Sequence, residues 1–452
     1  MEAAMNQCNV GQTIDGSRVN SFHLSIMFWC SLLMLFDGYD LVIYGSVLPH
    51  LMVVWNLSPV TAGFIGSSAL FGMMVGALTL GGLSDKIGRR KVILSCLIIF
   101  SLAALINGFS RSPLEFAICR FITGIGLGGM VPNIVALMTE MAPKKTRNIM
   151  VTLMLSCFSV GGVIAAVLGK FITPHFGWQM NFIIAGLPLL TFPLLYRSLP
   201  ESVSFLLLNG RFSEADAVLH KLNPTYKGSA ESIASAARVS SEEQKGARSL
   251  QLFAAGRAQS TLLMWIAFGM CMLMVYGLNT WLPKLMTISG YSIGSSLSFL
   301  ITLNVGAILG GLVSGWLADK WGGKLTLMLF FTVASVSVGL LGFKQDPVVL
   351  NTLLLLAGAT TIGTLCIVHA FAAQFYPTHI RSTGVGWAAA AGRLGAVAGP
   401  ALGGYLLSQH LPLATNFLVF GVPGVIAAFA IALTPQRKSH SMQLTESEVA
   451  AK

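Results

Sequence analysis

The chain has 452 residues, 54% of them hydrophobic and only 10% charged, and its mean hydropathy is +0.74. That composition excludes a soluble globular protein of this length, and a net charge of +11 must be read against a bilayer before nucleic acid is considered. Apolar stretches of about 20 residues, the length that crosses a membrane, recur at 23–50, 60–83, 92–110, 114–139, 148–172 and 178–199. Six more follow a polar gap, at 261–288, 295–318, 325–343, 348–374, 382–408 and 412–434. The pattern predicts an all-α membrane protein of twelve spanning helices. Its parts are an N-terminal cytoplasmic segment (1–22), a six-helix bundle (23–199), a cytoplasmic linker (200–258), a second six-helix bundle (259–434) and a cytoplasmic tail (435–452). Residues 1–22 are polar and the first apolar run exceeds a signal-peptide core, so no cleavable signal is expected.

In chain order, the first informative element is the first span, which carries Asp37-Gly38-Tyr39-Asp40 at its centre. An acid there costs about 2.5–3.5 kcal/mol on insertion scales, so it marks a functional site by default. A spacing of three puts Asp37 and Asp40 on one face, where Tyr44 joins them. Two close carboxylates hinder each other's ionisation, so one can hold a proton near neutral pH. The loop after span two reads Gly81-Gly82-Leu83-Ser84-Asp85-Lys86-Ile87-Gly88-Arg89-Arg90-Lys91. Asp85 closes one helix and Arg89 and Arg90 open the next, an arrangement suited to a charge-paired gate; Lys91 fits a simple topology marker. Span four holds Arg120 and ends at Glu140, with Arg147 and Lys144 as its nearest cationic partners. Its Gly124-Ile125-Gly126-Leu127-Gly128-Gly129 matches a dinucleotide fingerprint only literally: no strand precedes it, and small residues in a span permit close helix contact.

Between the bundles, Phe205–Leu208 and Val218-Leu219 suggest short amphipathic helices at the membrane surface, and Lys227 to Gly246 reads as a flexible linker. In the second half, a diluted copy of the loop runs Gly315-Trp316-Leu317-Ala318-Asp319-Lys320-Trp321-Gly322-Gly323-Lys324, with Gly323 where the first has Arg89. His369 in span ten can titrate or can serve in packing. Arg393 lies 12 residues past Arg381, roughly 18 Å up span eleven at 1.5 Å per residue. A cation at that depth requires an anion, from the Asp pair or from cargo, unless backbone carbonyls satisfy it.

The halves share one register. Gly72 with Gly306, Gly76 with Gly310, Asp85 with Asp319, Lys86 with Lys320, Gly88 with Gly322, Gly124 with Gly358, Pro143 with Pro377, Arg147 with Arg381 and Gly161 with Gly395 all lie 234 residues apart. Helical periodicity does not align loop Asp, Pro and Arg positions, so the chain is one six-helix unit written twice. With both termini and the linker on one side, 22 of the 28 Lys and Arg fall on that side. Four fall on the other (Arg111, Lys170, Lys284, Lys344) and two within spans. The rich side is expected to be cytoplasmic. The basicity therefore records orientation, and no nucleic acid partner is expected. The seven cysteines are scattered without metal-ligand spacing, and no metal, cofactor or enzymatic constellation is found.

The two loops, Arg120 before Thr123-Gly124-Ile125-Gly126, and Pro200-Glu201-Ser202 with Gly210-Arg211 resemble signature segments of the major facilitator superfamily over nearly the whole chain. Within it, Asp37-Gly38-Tyr39-Asp40 and Phe375 to Trp387 resemble the aromatic acid:proton symporters, benzoate and hydroxybenzoate carriers above all. The resemblance implies two pseudo-symmetric bundles that rock about a midplane site, lodged in the inner membrane and working as a monomer. It also implies uptake of a small aromatic carboxylate with protons. It gives coupling roles to Asp37, Asp40 and Glu140, anion recognition to Arg393 and Arg120, and gating to Asp85, Arg89, Arg90, Asp319, Arg147 and Arg381. For an aromatic ligand, Tyr44, Tyr276, Asn279, Trp281, Asn304 and Trp387 are candidate contacts, although most aromatics in such a protein face lipid or neighbouring helices. Span five lacks the Gly-Pro pair associated with antiporters of the superfamily, which favours uptake. The rival readings are another organic anion, an efflux antiporter, or a receptor on a transporter scaffold.

Overall fold

Hydrocarbon offers no hydrogen bonds to the backbone, so a spanning segment must satisfy its own amides and carbonyls, which a helix does. The computed structural model describes residues 10–226, 252–254, 257–376 and 380–435, without the side chains of 10, 11, 12, 366, 381 and 382. Among these residues every regular element is helical. The first bundle holds α1 (Ser21–Val54), α2 (Pro59–Ile87), α3 (Arg89–Asn107), α4 (Pro113–Met141), α5 (Arg147–Phe176) and α6 (Gln179–Ser198). The second holds α7 (Ala258–Ile288), α8 (Ile293–Trp321), α9 (Gly323–Leu340), α10 (Pro347–Phe375), α11 (Arg381–Ser408) and α12 (Leu413–Leu433). Eleven of these are long and apolar enough to span by composition; α11 has the length but is rich in glycine and carries Arg393. The sixth span is broken into Gln179–Ala185, a 3-10 turn over Leu187–Thr191 and Phe192–Ser198. Pro188 and Pro193 lack the amide that an uninterrupted helix would use there.

The repeat in the sequence is a repeat in space. Ser58 and Ser292 cap α2 and α8, Ser112 and Asp346 cap α4 and α10, and Gly88 and Gly322 end α2 and α8 at φ 100° and 86°. Each pair keeps the offset of 234. A Cβ on Gly72, Gly76, Gly124 or Gly161 would collide with the carbonyl oxygens of Phe121, Ile125, Ala69 and Leu35. Gly306, Gly310, Gly358 and Gly395 stand in the same relation to Leu355, Ala359, Leu303 and Gly269, the equivalents of those four. Both bundles therefore use glycine to bring the same helices to backbone contact: α2 on α4 and α1 on α5, matched by α8 on α10 and α7 on α11.

The halves meet through α1 with α7, α2 with α11 and α5 with α8. Among the described residues the two hydrogen bonds between halves are Ser67 Oγ to Val397 O (2.7 Å) and Lys170 Nζ to Ser298 Oγ (2.8 Å). Gly45 abuts Asn279, its own repeat equivalent, and Gly63 abuts Pro400. All of these lie toward the end of the bundle remote from the chain termini. At the terminal end the described ion pairs stay within the first half: Arg89 with Glu140, Arg147 with Asp15, and Arg211 with Glu214. Asp85 and Asp319 are exposed and form no ion pair among the described residues. Among the described residues the hydrogen bonds and glycine contacts between the halves thus fall at one end, and the ion pairs at the other end stay within the first half.

The segment after α6 holds two short helices, Val203–Leu208 and Phe212–Leu222. Ala215, Leu219 and Leu222 of the helix Phe212–Leu222 are buried with Ile14, and Asn20 Nδ2 donates to Lys221 O (2.9 Å), so this segment packs on the first bundle and its N-terminal stretch. The expected linker at 227–246 and the tail beyond residue 435 lie outside the described residues. Closure at the remote end depends on α2 and α11 touching: a Cβ on Gly63 would stand 2.6 Å from Pro400 O. Gly63→Trp is expected to hold that end open, so that a cysteine introduced at Ser67 reacts with an impermeant thiol reagent added from that side. In the parent protein the same cysteine is expected to be protected.

Candidate functional site

Asp37 and Asp40 lie in α1, each 4% exposed, on the face turned inward. The glycine between them is there for packing, since a Cβ on Gly38 would strike the backbone of Phe158 in α5. From α4, Arg120 Nη1 donates to both Asp40 carboxylate oxygens at 2.7 Å and to the Asp40 carbonyl at 3.2 Å. Arg120 is 2% exposed, so the pair is sealed from bulk water. Its Cζ sits 5.6 Å from the centroid of the Tyr44 ring, a cation–π contact, and the Tyr44 hydroxyl donates to Ala62 O on α2 (2.6 Å).

Asp37 is differently placed. Among the described residues its carboxylate has no hydrogen bond or ion pair, and the charge acting on it across the bundle interface is that of Arg393 on α11. Arg393 is half-buried and acts also on Tyr276 of α7 and His369 of α10. His369 Nδ1 lies 2.7 Å from Leu365 O and its ring is edge-on to Phe268 (4.9 Å). The interior thus holds two formal negative charges and two positive ones. One couple is closed by hydrogen bonds within the first half. The other faces across the halves and leaves both groups with free hydrogen-bonding capacity.

The repeat shows how local this chemistry is. The equivalents of Asp40, Arg120 and Tyr44 are Met274, Leu354 and Leu278, all buried in one apolar cluster. The equivalents of Asp37 and Arg393 are Cys271 and Ser159. One architecture packs hydrocarbon in the second half where the first half holds the Asp40–Arg120 ion pair.

Several expected site residues are committed elsewhere. Tyr44 is turned toward α2 and Arg120, with its ring 6.1 Å from Phe116. Trp281 is fully buried and its Nε1 donates to Pro400 O (2.8 Å), a packing role. Trp387 is 48% exposed and heads a stripe with Leu394 and Tyr405 that faces away from the bundle; it stacks on Trp265. Asn279 and Asn304 are bonded to each other (3.3 Å) at the closed end, with Asn304 Oδ1 against Gly162. Glu140 is remote from Asp37 and Asp40. It pairs with Arg89, not with Arg147 or Lys144, because the Ser202 hydroxyl and the Ser204 amide also converge on it. Arg90 donates to Tyr196 O, and Arg147 turns to Asp15. Arg381 opens α11, and its side chain lies outside the described residues.

Sequence reasoning missed two groups. Tyr39 donates to Asn181 O (2.9 Å), tying α1 to α6, and Glu201 accepts from the Arg90 amide (3.1 Å). For Glu201 the signal was its place in Pro200-Glu201-Ser202, directly after the sixth span.

Twelve membrane-length helices in two matched bundles, with a charged interior and, among the described residues, hydrogen bonds between halves at one end, define a multi-pass membrane carrier rather than an enzyme. The family model "Major Facilitator Superfamily" matches residues 30–364 and 298–451, and the chain belongs to that family, in its aromatic acid branch. The chain is 42% identical to the benzoate transport protein of Acinetobacter baylyi, over 96% of this chain and 94% of that one. To the gentisate transporter of Corynebacterium glutamicum it is 33% identical, over 96% and 93%. Among solved structures it resembles the xylose transporter XylE from E. coli in a partially occluded inward-open conformation. The TM-score is 0.73 at 21% identity, covering 93% of this chain and 99% of that one, a likeness of fold.

The burial of Asp40 with Arg120 carries a stability consequence. Arg120→Ala strands a carboxylate and is expected to cost about 3–5 kcal/mol. The double variant Asp40→Met/Arg120→Leu copies the apolar pair of the other half and is expected to recover all but about 1.5 kcal/mol of that loss. Melting of the purified protein in mild detergent checks both.

Proposed function

We propose that the protein takes up small aromatic carboxylates, benzoate or a hydroxybenzoate, together with protons across the cytoplasmic membrane, with both termini inside. The observation that carries this reading is the unequal pairing of the interior charges: Asp40 is closed onto Arg120, while Asp37 and Arg393, in opposite halves and within electrostatic reach of each other, make no hydrogen bond or ion pair among the described residues. A guanidinium with free donors between the halves suits a carboxylate ligand, which it can bind through two parallel hydrogen bonds. The nearby Tyr276 supplies a ring face for an aromatic cargo. The named relatives transport benzoate and gentisate, ring acids of that class.

Coupling follows from charge balance. The empty site sums to zero. A monoanion bound at Arg393 sets three negative charges against the two arginines, and one proton on the Asp37/Asp40 pair restores neutrality. Proton and cargo therefore favour each other, and the loaded site can cross the midplane without a net buried charge. The state described here, open toward the terminal side where 22 of 28 basic residues lie, is that of a carrier after release inside. In the opposite state, Asp85 and Asp319, exposed here, become partners for basic helix ends of the other half, Arg381 among them. Arg89, Arg90, Arg147 and Glu140 serve that gate by holding the ends of α3, α4 and α5 as one block with the segment after α6.

Asp37→Asn and Asp40→Asn are each expected to abolish benzoate accumulation driven by an acid exterior in proteoliposomes. Arg393→Gln is expected to raise the apparent KM for benzoate about 10- to 100-fold, the loss of a charge-assisted hydrogen bond. Wild-type accumulation with unaltered pH dependence in both Asp variants contradicts the proposal.

A further inference from the structure

Tyr44 is assigned a function by its surroundings rather than by its exposure. Its ring lies against the Arg120 guanidinium on one side, and its hydroxyl is fastened to Ala62 O on α2. A Cβ on Gly66, one helical turn along α2, would stand 2.9 Å from the Tyr44 ring and 3.1 Å from Pro400 of α11. Gly63, between these positions, touches Pro400 O, and Ser67 donates to Val397 O. Tyr44 therefore bridges the buried ion pair and the stretch of α2 that closes on α11.

We propose that Tyr44 is a positioning residue that receives the Arg120 guanidinium when Asp40 takes a proton, and that it transmits this shift to the α2–α11 contact. The proposal rests on the proton-coupled reading given above. The guanidinium has the Asp40 carboxylate, the Asp40 carbonyl and the Tyr44 ring face in reach, and of these only the carboxylate can be neutralised. With Asp40 protonated, Arg120 remains a buried cation whose Nε has no hydrogen-bond partner among the described residues. The electron-rich ring face is then its best remaining neighbour. A guanidinium drawn toward the ring presses on a side chain anchored to Ala62 and wedged at Gly66, where α2 meets α11.

The charged and titratable groups around Asp40 are few. Arg120 comes from α4. Asp37, Tyr39 and Tyr44 come from α1, and Arg393 of α11 and Tyr276 of α7 act through Asp37. Asp85 and Lys86 of α2 and Arg147 of α5 lie at the terminal end, Lys170 of α5 is bonded to Ser298, and Tyr196 and Arg197 of α6 lie at that helix's end. Of these, Asp40 and Tyr44 are the groups that contact Arg120 among the described residues.

The test is a series at position 44 in the full-length protein: Tyr44→Phe, phenylalanines of increasing ring fluorination, and Tyr44→Leu. Fluorination weakens the negative ring face at nearly constant shape, so a folded protein is retained even if Tyr44→Leu fails to reconstitute. The readouts are the pH midpoint of acid-driven benzoate uptake and the rate of benzoate exchange at equal pH on both sides. Removing the ring face disfavours the protonated form of Asp40, so the midpoint is expected to fall progressively along the series, by about one pH unit at its end. Exchange, which needs no return of an unloaded carrier, is expected to change less than threefold. A flat series in a protein whose parent accumulates benzoate, or a midpoint that rises, overturns the assignment of Tyr44 alone. Absence of acid-driven accumulation in the parent overturns the proton-coupled reading beneath it.

Discussion

Charge inside a membrane-spanning bundle persists only when another charge answers it. Asp40 and Arg120 answer each other completely, through two 2.7 Å hydrogen bonds in a place almost closed to solvent. Asp37 and Arg393 answer each other only across the gap between the two halves. That second relation depends on the relative position of the two halves, and on the proposed mechanism it changes when they rock and when an anion enters between them. A proton and a carboxylate are the two species that can rewrite it without leaving a naked charge behind. On the proposed function, transport is a matter of which couple is closed, in which half, and when.

The internal repeat provides the control within the molecule. Helix caps, the positive-φ glycines and the backbone contacts of four glycine pairs recur at one offset, which makes the two halves mechanically alike. Their interiors are chemically unlike: Met274, Leu354 and Leu278 occupy the places of Asp40, Arg120 and Tyr44. The scaffold does not need the charges in order to fold, because its other half forms the same helix contacts around hydrocarbon. On the proposed coupling, their presence in one half has a reason. Near the pseudo-symmetry axis, Gly45 meets its own equivalent, Asn279, so even the pivot of the closed end departs from perfect duplication.

Much of this was legible in the chain. The twelve spans, the duplication and the family resemblance follow from hydropathy and from loop residues that repeat in register. The intramembrane acids announce themselves by their cost. What spacing could not reveal was partnership between distant segments. Asp40 and Arg120 are 80 residues apart, and nothing local to either says that they bond. Helical spacing placed Tyr44 on the acidic face but not its direction, because an aromatic side chain reaches far enough to join α2 instead of the central cavity. The same holds for Trp281 and Trp387, whose chemistry suits an aromatic ligand and whose positions serve packing and the outer surface. Glu140 was assigned to coupling from resemblance, and only the fold brings Ser202, Ser204 and Arg89 around it at the far end of the helix.

The central claim is that cargo and proton occupy the site together, one cancelling the other. It is tested most directly by loading a pH-sensitive dye into proteoliposomes and following lumenal pH while a benzoate gradient drives net entry, with protein-free vesicles subtracted. The account predicts acidification in step with benzoate entry, one proton for each carboxylate, and its loss in Asp37→Asn. Benzoate entry that proceeds at the wild-type rate with no accompanying proton would contradict it.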